Sequence, residues 1–113
     1  MKGKTVIKEN FMFSKVFKNG KYAANNIVVV YALKNYNRNA APKLGISVSA
    51  KLGGAVQRNR AKRVIREAFR RIYKDLPKGY LFVIVGRKPC FDRATKMNEV
   101  LAAAKSAFSR LKL

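Results

Sequence analysis

The stretch Gly54–Arg71, GAVQRNRAKRVIREAFRR, is where this sequence concentrates its chemistry. Arg58, Asn59, Arg60, Lys62, Arg63, Arg66 and Arg70 fall in one run that holds a single acid, Glu67. Arginine outnumbers lysine there, and its planar fork matches phosphate oxygens two at a time. The chemistry is polyanion binding. A charge run is ordinarily a solvated helix face, but such a face mixes signs and this one does not. Glu67 has a plain structural explanation, because Arg63 and Arg71 stand four residues to either side, as in helical charge pairs.

Groups that could make or break a bond are scarce. The chain has no histidine. That removes Ser-His and Cys-His dyads, the usual zinc sets and the commonest general base. The carboxylates Glu9, Glu67, Asp75, Asp92 and Glu99 are scattered, and no Gly-rich phosphate loop is present. No catalytic and no metal-ligating residue is assigned. Cys90, the one cysteine, reads as a small, partly buried residue; a chain that cannot form an internal disulfide suits a reducing compartment.

The elements that must position these residues follow from periodicity. Ala61, Val64, Ile65, Ala68, Phe69, Ile72 and Tyr73 recur at helical spacing over an arc of about 140°, a face suited to packing on a sheet. Lys62, Arg63, Arg66 and Arg70 lie opposite, with Arg60 and Arg71 on the flank. Arg58 projects into the apolar arc, which places it at or before the first turn. Pro77 and Gly79 signal the stop.

Upstream, Ile7–Asn19 predicts an extended lead-in and a short helix that Asn10 can cap and Gly20 can end in a left-handed conformation. Phe13, Val16 and Phe17 make one stripe, which taken alone reads as core packing. Lys21–Leu33 predicts a short strand, a tight turn at Asn25-Asn26 using the positive φ that asparagine tolerates, and a longer strand from Ile27. Tyr31 should share a face with Ile27 and Val29. Lys34–Pro42 is a polar loop. In KLGISVS, Leu44, Ile46 and Val48 point one way, while Lys43, Gly45, Ser47 and Ser49 present a small polar face that a bulky ligand could approach. Tyr80–Gly86 is an apolar strand, and Arg87 and Lys88 follow it. A last helix from near Thr95 carries Met97, Val100, Leu101, Ala104, Phe108 and Leu111 on one stripe.

Composition sets the frame. The 113 residues suit one domain, 1–113, with one core, and 49% hydrophobic content separates the chain from a disordered basic tail. Against 26 Lys+Arg stand 5 Asp+Glu, a formal charge of +21. Such a charge opposes compaction by self-repulsion and calls for an anionic partner, a polyphosphate backbone above all. A membrane surface is the rival, but Ile27–Leu33 is far too short to span a bilayer, and residues 1–10 do not resemble a signal peptide. Nothing in the charge pattern separates DNA from RNA. Phe13, Phe17 and Tyr31, if exposed beside basic residues, would favour stacking on unpaired bases.

Four segments in this order, FSKVFKNG, LGISVS, GAVQRNRAKRVIREAFR and GRKP, resemble the bacterial ribonuclease P protein family from about Ile7 to the last helix. Ala50 departs from a frequent lysine and Gly54 from a frequent asparagine. The resemblance implies an α/β (α+β) two-layer sandwich, a small mixed sheet packed by helices, with a left-handed βαβ crossover that runs against the usual handedness. It implies work beside a large catalytic RNA that removes the 5′ leader of precursor tRNA, with Mg²⁺ held mainly by RNA and substrate. By the same resemblance, Arg58, Asn59, Arg60, Lys62, Arg63, Arg66 and Arg70 contact the RNA subunit. Phe13, Phe17, Tyr31, Lys51, Ser47 and Ser49 line a cleft for the single-stranded leader. The implied partners are the RNA subunit and precursor tRNA, with no membrane, no required protein partner, and a cytoplasmic location. A structural RNA-binding protein, such as a ribosomal protein, is the alternative of like composition.

Overall fold

In a computed structural model, which describes Ile7 and residues 10–113, the chain runs α1 (Asn10–Asn19), β1 (Lys21–Ala24), β2 (Val28–Lys34), β3 (Lys43–Val48), α2 (Ala55–Ile72), β4 (Tyr80–Gly86) and α3 (Met97–Leu111). Short 3-10 turns at Tyr73–Asp75 and Lys88–Phe91 extend α2 and follow β4. The strands form one mixed sheet in the order β1-β2-β4-β3. β1 pairs antiparallel with β2, β2 antiparallel with β4, and β3 parallel with β4. Parallel neighbours need a crossover, and α2 supplies it.

Helices α2 and α3 cover one face of the sheet. Val28, Val30, Leu44, Phe82 and Ile84 meet Ala61, Ile65, Phe69, Val100 and Ala107 there in the main core. Helix α1 lies on the other face, where Val16 is buried with Leu81 and Val83. β4 therefore contributes to both cores by alternation, which is why its sequence is an unbroken apolar run. Ile7 joins the second core and donates its backbone N–H to Leu44 O at 2.8 Å.

The predicted stripes hold, with four local corrections. Gly20 does not adopt a left-handed conformation; among the described residues only Gly79 and Lys112 have positive φ. Gly20 is required for close approach instead, since a Cβ there would stand 2.6 Å from Val16 O and 2.9 Å from Ala32 O. The turn at Asn25-Asn26 likewise avoids positive φ. The Asn25 side-chain oxygen accepts the N–H groups of Ile27 and Val28 at 3.0 and 2.9 Å, an Asx turn. Ile27 precedes β2 and packs into the main core, so it does not share the Tyr31 face. Glu67 bonds Arg70 and Arg71, not Arg63; an acid N-terminal to its base is the favoured helical order. The Asn10 side chain, and so its capping role, lies outside the described residues.

Candidate nucleic-acid interface

Pairing register turns the α1 side of the sheet into rows. Tyr22, Tyr31, Val83 and Gly45 form one row; Ala24, Val29, Val85 and Ser47 form the next. Helix α1 buries Val83 in the first row but leaves Val29, Val85 and Ser47 only partly covered. The result is a shallow strip floored by valine and serine and walled by rings. Phe13 and Phe17 reach down from α1 with centroids 6.4 Å apart. Phe17 meets Tyr31 at 4.9 Å and 85°, and Tyr31 meets Tyr22 at 5.6 Å and 33°. Gly45 makes this possible, because a Cβ there would lie 2.7 Å from the Phe13 ring.

Core packing and exposure coexist in this cluster. Phe13 and Tyr31 are half-buried, while Phe17 keeps 39% and Tyr22 66% of its surface exposed. Ser47 lies on the strip, and Ser49 and Lys51 are exposed in the turn just past β3, where Ser49 Oγ accepts the Lys51 N–H at 3.1 Å. Sequence reasoning placed Val29 on the Tyr31 face, as found, but did not name it, Tyr22 or Val85 as parts of this surface. Tyr22 carried a signal, since a hairpin about Asn25-Asn26 sets it opposite Tyr31.

On the opposite side of the sheet, α2 presents its basic face. Asn59, Lys62, Arg63, Arg66 and Arg70 are exposed. Among the described residues, only Arg70 and Arg71 pair with a carboxylate, both through Glu67, whose oxygen lies 2.6 Å from Arg70 and 3.3 Å from Arg71. Hydrogen bonds from Arg70 first, then Arg71, hold the Glu67 carboxyl down at about 2. Lys62, Arg63 and Arg66 keep their charge uncompensated by any such bridge.

Two of the arginines do structural work as well. Arg58, in the first turn of α2, donates to Gly53 O at 3.0 Å. Arg60 is only partly exposed; its guanidinium donates to Arg93 O at 3.3 Å and Thr95 O at 3.2 Å, fastening α2 to the segment that leads into α3. Its Nε is buried without a hydrogen-bond partner. The helix begins at Gly54, whose N–H is accepted by the Gln57 side chain at 2.9 Å; glycine has no side chain to return the bond. Beside this end of α2, Arg60, Arg63, Lys88 and Arg93 border a groove of about 1020 Å³, so the residues after β4 extend the basic surface.

Among the described residues no three of His, Cys, Asp or Glu are grouped so as to hold a metal ion. Cys90 is buried, donates to Ile27 O at 3.2 Å, and has its thiol pushed up by burial to about 11, so it is no ready nucleophile. No described helix is long and apolar enough to cross a membrane.

The ribonuclease P family model matches residues 1–112. A ribonuclease P protein component from Clostridium beijerinckii is 47% identical over 88 residues, 74% of this chain and 70% of the relative. The structure of the Staphylococcus aureus RNase P protein superposes with TM-score 0.80 at 33% identity, covering 96% of this chain and 95% of that one. A mutant of the S. aureus protein, described as having defective mRNA degradation activity, superposes with TM-score 0.83 at 31% identity, covering 96% and 89%. With family match, sequence identity and fold in agreement over nearly its whole length, the chain belongs to the ribonuclease P protein family.

Proposed function

We propose how this ribonuclease P protein serves the maturation of tRNA 5′ ends: it bridges two RNAs from opposite faces of one sheet. Arg58, Asn59, Arg60, Lys62, Arg63, Arg66 and Arg70 hold the catalytic RNA subunit through its phosphates. Phe13, Phe17 and Tyr31, with Ser47, Ser49 and Lys51, take the unpaired leader of the precursor. The observation that carries this reading is the division of labour. One face of the fold offers guanidinium groups without rings, and the other offers rings over a shallow apolar strip. Phosphate contacts anchor without reading sequence, and aromatic faces stack on any unpaired base.

Bond cleavage falls to the RNA subunit in this reading, with Mg²⁺ held by RNA and substrate. The support is chemical: the chain has no histidine, and Glu67, the one acid of the basic helix, is tied to two arginines. The protein's own part is binding and orientation, in the cytoplasm, as one domain over 1–113 and without a further protein partner. A second reading, that the chain alone degrades RNA, is raised by the S. aureus mutant's description.

One experiment separates them. Precursor tRNA and a messenger RNA are each incubated with the chain alone, with the matching RNA subunit alone, and with both. Leader removal that needs the RNA subunit and improves with the chain supports the bridge. Cleavage of either substrate by the chain, with RNA subunit rigorously excluded, overturns it.

A further inference from the structure

The loop between β2 and β3 is a third surface that neither RNA-binding face uses. Its sequence, Asn35-Tyr36-Asn37-Arg38-Asn39-Ala40, puts one ring among polar groups. Tyr36 is 102% exposed, so its ring contributes nothing to the core. The backbone beneath it is nevertheless well tied. Asn35 N–H bonds Gly79 O at 2.8 Å, and Gly79 N–H bonds Ala40 O at 2.8 Å. Two successive Asx turns fix the tip: Asn37 N–H to the Asn35 side chain at 3.3 Å, and Asn39 N–H to the Asn37 side chain at 3.0 Å. Arg38 donates to Gly79 O at 3.4 Å and sits 5.3 Å above the Tyr80 ring. Gly79 holds φ +80°, and a Cβ there would stand 2.5 Å from Arg38 O and 2.9 Å from the Arg38 α-carbon, so the clasp depends on a glycine there.

A solvent-facing aromatic on a braced loop gains nothing for the fold, and bracing removes the ordering cost of binding. The local charge selects the partner. Segments 34–43 and 76–80 contain Lys34, Arg38, Lys43 and Lys78 and no carboxylate. The loop leaves the sheet where β2 ends and β3 and β4 begin, whereas Ser47, Ser49 and Lys51 lie at the far end of β3. We propose that Tyr36 is a separate stacking contact for one unpaired nucleobase of RNA, with the neighbouring cations taking the adjoining phosphate. The base belongs either to a loop of the RNA subunit or to the distal part of a long leader. The proposal rests on the RNA-binding reading above.

The test uses Tyr36→Ala and Tyr36→Phe in the full chain, beside the unchanged protein. Melting temperature is measured first, then affinity for the RNA subunit, then affinity of the reconstituted complex for precursor tRNAs with short and long leaders. Stacking predicts unchanged melting, a loss of about fivefold or more for Tyr36→Ala, and retention by Tyr36→Phe. Loss confined to RNA-subunit binding assigns the base to that RNA; loss confined to long leaders assigns it to the substrate. The proposal is overturned if Tyr36→Ala binds both RNAs within twofold of the unchanged protein, if Tyr36→Phe loses as much as Tyr36→Ala, or if melting falls with binding. If the unchanged protein binds neither RNA, the bridge reading itself has failed, a result distinct from all of these.

Discussion

The Phe17 and Tyr31 rings meet in a T, with centroids 4.9 Å apart and planes at 85°. A T-shaped pair is a favourable aromatic geometry, in which the edge of one ring meets the face of the other and the edge-on ring keeps both its own faces clear of that contact. The two residues come from a helix and a strand that meet only because Val16, one position before Phe17, is fully buried against the sheet. The pair thus joins packing to display. Tyr31→Ala should weaken binding of precursor tRNA carrying several leader nucleotides by about 1–3 kcal/mol in the reconstituted complex. Mature tRNA should bind as before. Equal weakening of both substrates would return Tyr31 to a purely packing role. Phe17→Ala should show the same selectivity and also lower stability by about 1–2 kcal/mol, less than a fully buried phenylalanine loses.

The arginines of α2 should separate into two groups. Arg63→Ala and Arg66→Ala remove exposed, unbridged charges. Each should leave the melting temperature in place and flatten the log–log salt dependence of RNA-subunit binding by about 0.7–0.9 per lost phosphate contact. Arg60→Ala should weaken binding and also destabilise the fold by about 1–2 kcal/mol, because two bonds to the Arg93 and Thr95 carbonyls go with it. Urea titration of the three variants decides the matter; a stable Arg60→Ala would show that the clasp is idle.

Gly54 starts α2 with an extended φ of −77° and ψ of −176°, which any residue adopts, and a Cβ there meets nothing within 4 Å. Serine would complete the capping box with Gln57 and lower the entropy of the unfolded chain. Gly54→Ser should therefore raise stability by about 0.5–1 kcal/mol, seen as a higher thermal midpoint. A lower midpoint would mean that the turn before α2 needs glycine for another reason.

Local pattern carried much of this architecture. The alternation Leu44, Ile46, Val48 against Gly45 and Ser47 identified both faces of β3, and the helical stripe from Ala61 to Ile72 identified the buried side of α2. What escaped were features that depend on residues far away in the chain. Arg60 looked like a surface charge because its partners lie 33 and 35 positions on. Gly20 does follow the last residue of α1, but the reason for glycine there, the lack of room beside Val16 O and the Ala32 carbonyl, depends in part on the neighbouring strand. The apolar run Tyr80–Gly86 gives no sign that Val85 is only partly covered, because periodicity cannot reveal that α1 stops short of its row. The 3-10 turn Lys88–Phe91 was also missed, though Pro89 at its start is a fitting residue.

Glu67 provides a test that couples charge, pH and RNA. Its bonds from Arg70 and Arg71 bring its carboxyl from 4.5 to about 2. A carboxyl depressed in the folded state stabilises the fold at pH values above its unfolded value and loses that contribution as pH falls through the folded one. The Glu67 contribution should thus be complete above about pH 4.5 and fade towards about pH 2. Glu67→Gln should flatten that part of the stability profile, modestly, because both arginines are about half exposed and the bridges are screened. At neutral pH the same substitution frees two guanidinium groups on the basic face. RNA-subunit binding should then tighten and become steeper in salt, opposite in sign to Arg66→Ala. Affinity measured at two or three salt concentrations is sufficient. If Glu67→Gln weakens binding, the bridges are holding Arg70 and Arg71 in position for phosphate, and neutralisation by Glu67 is not what limits this face.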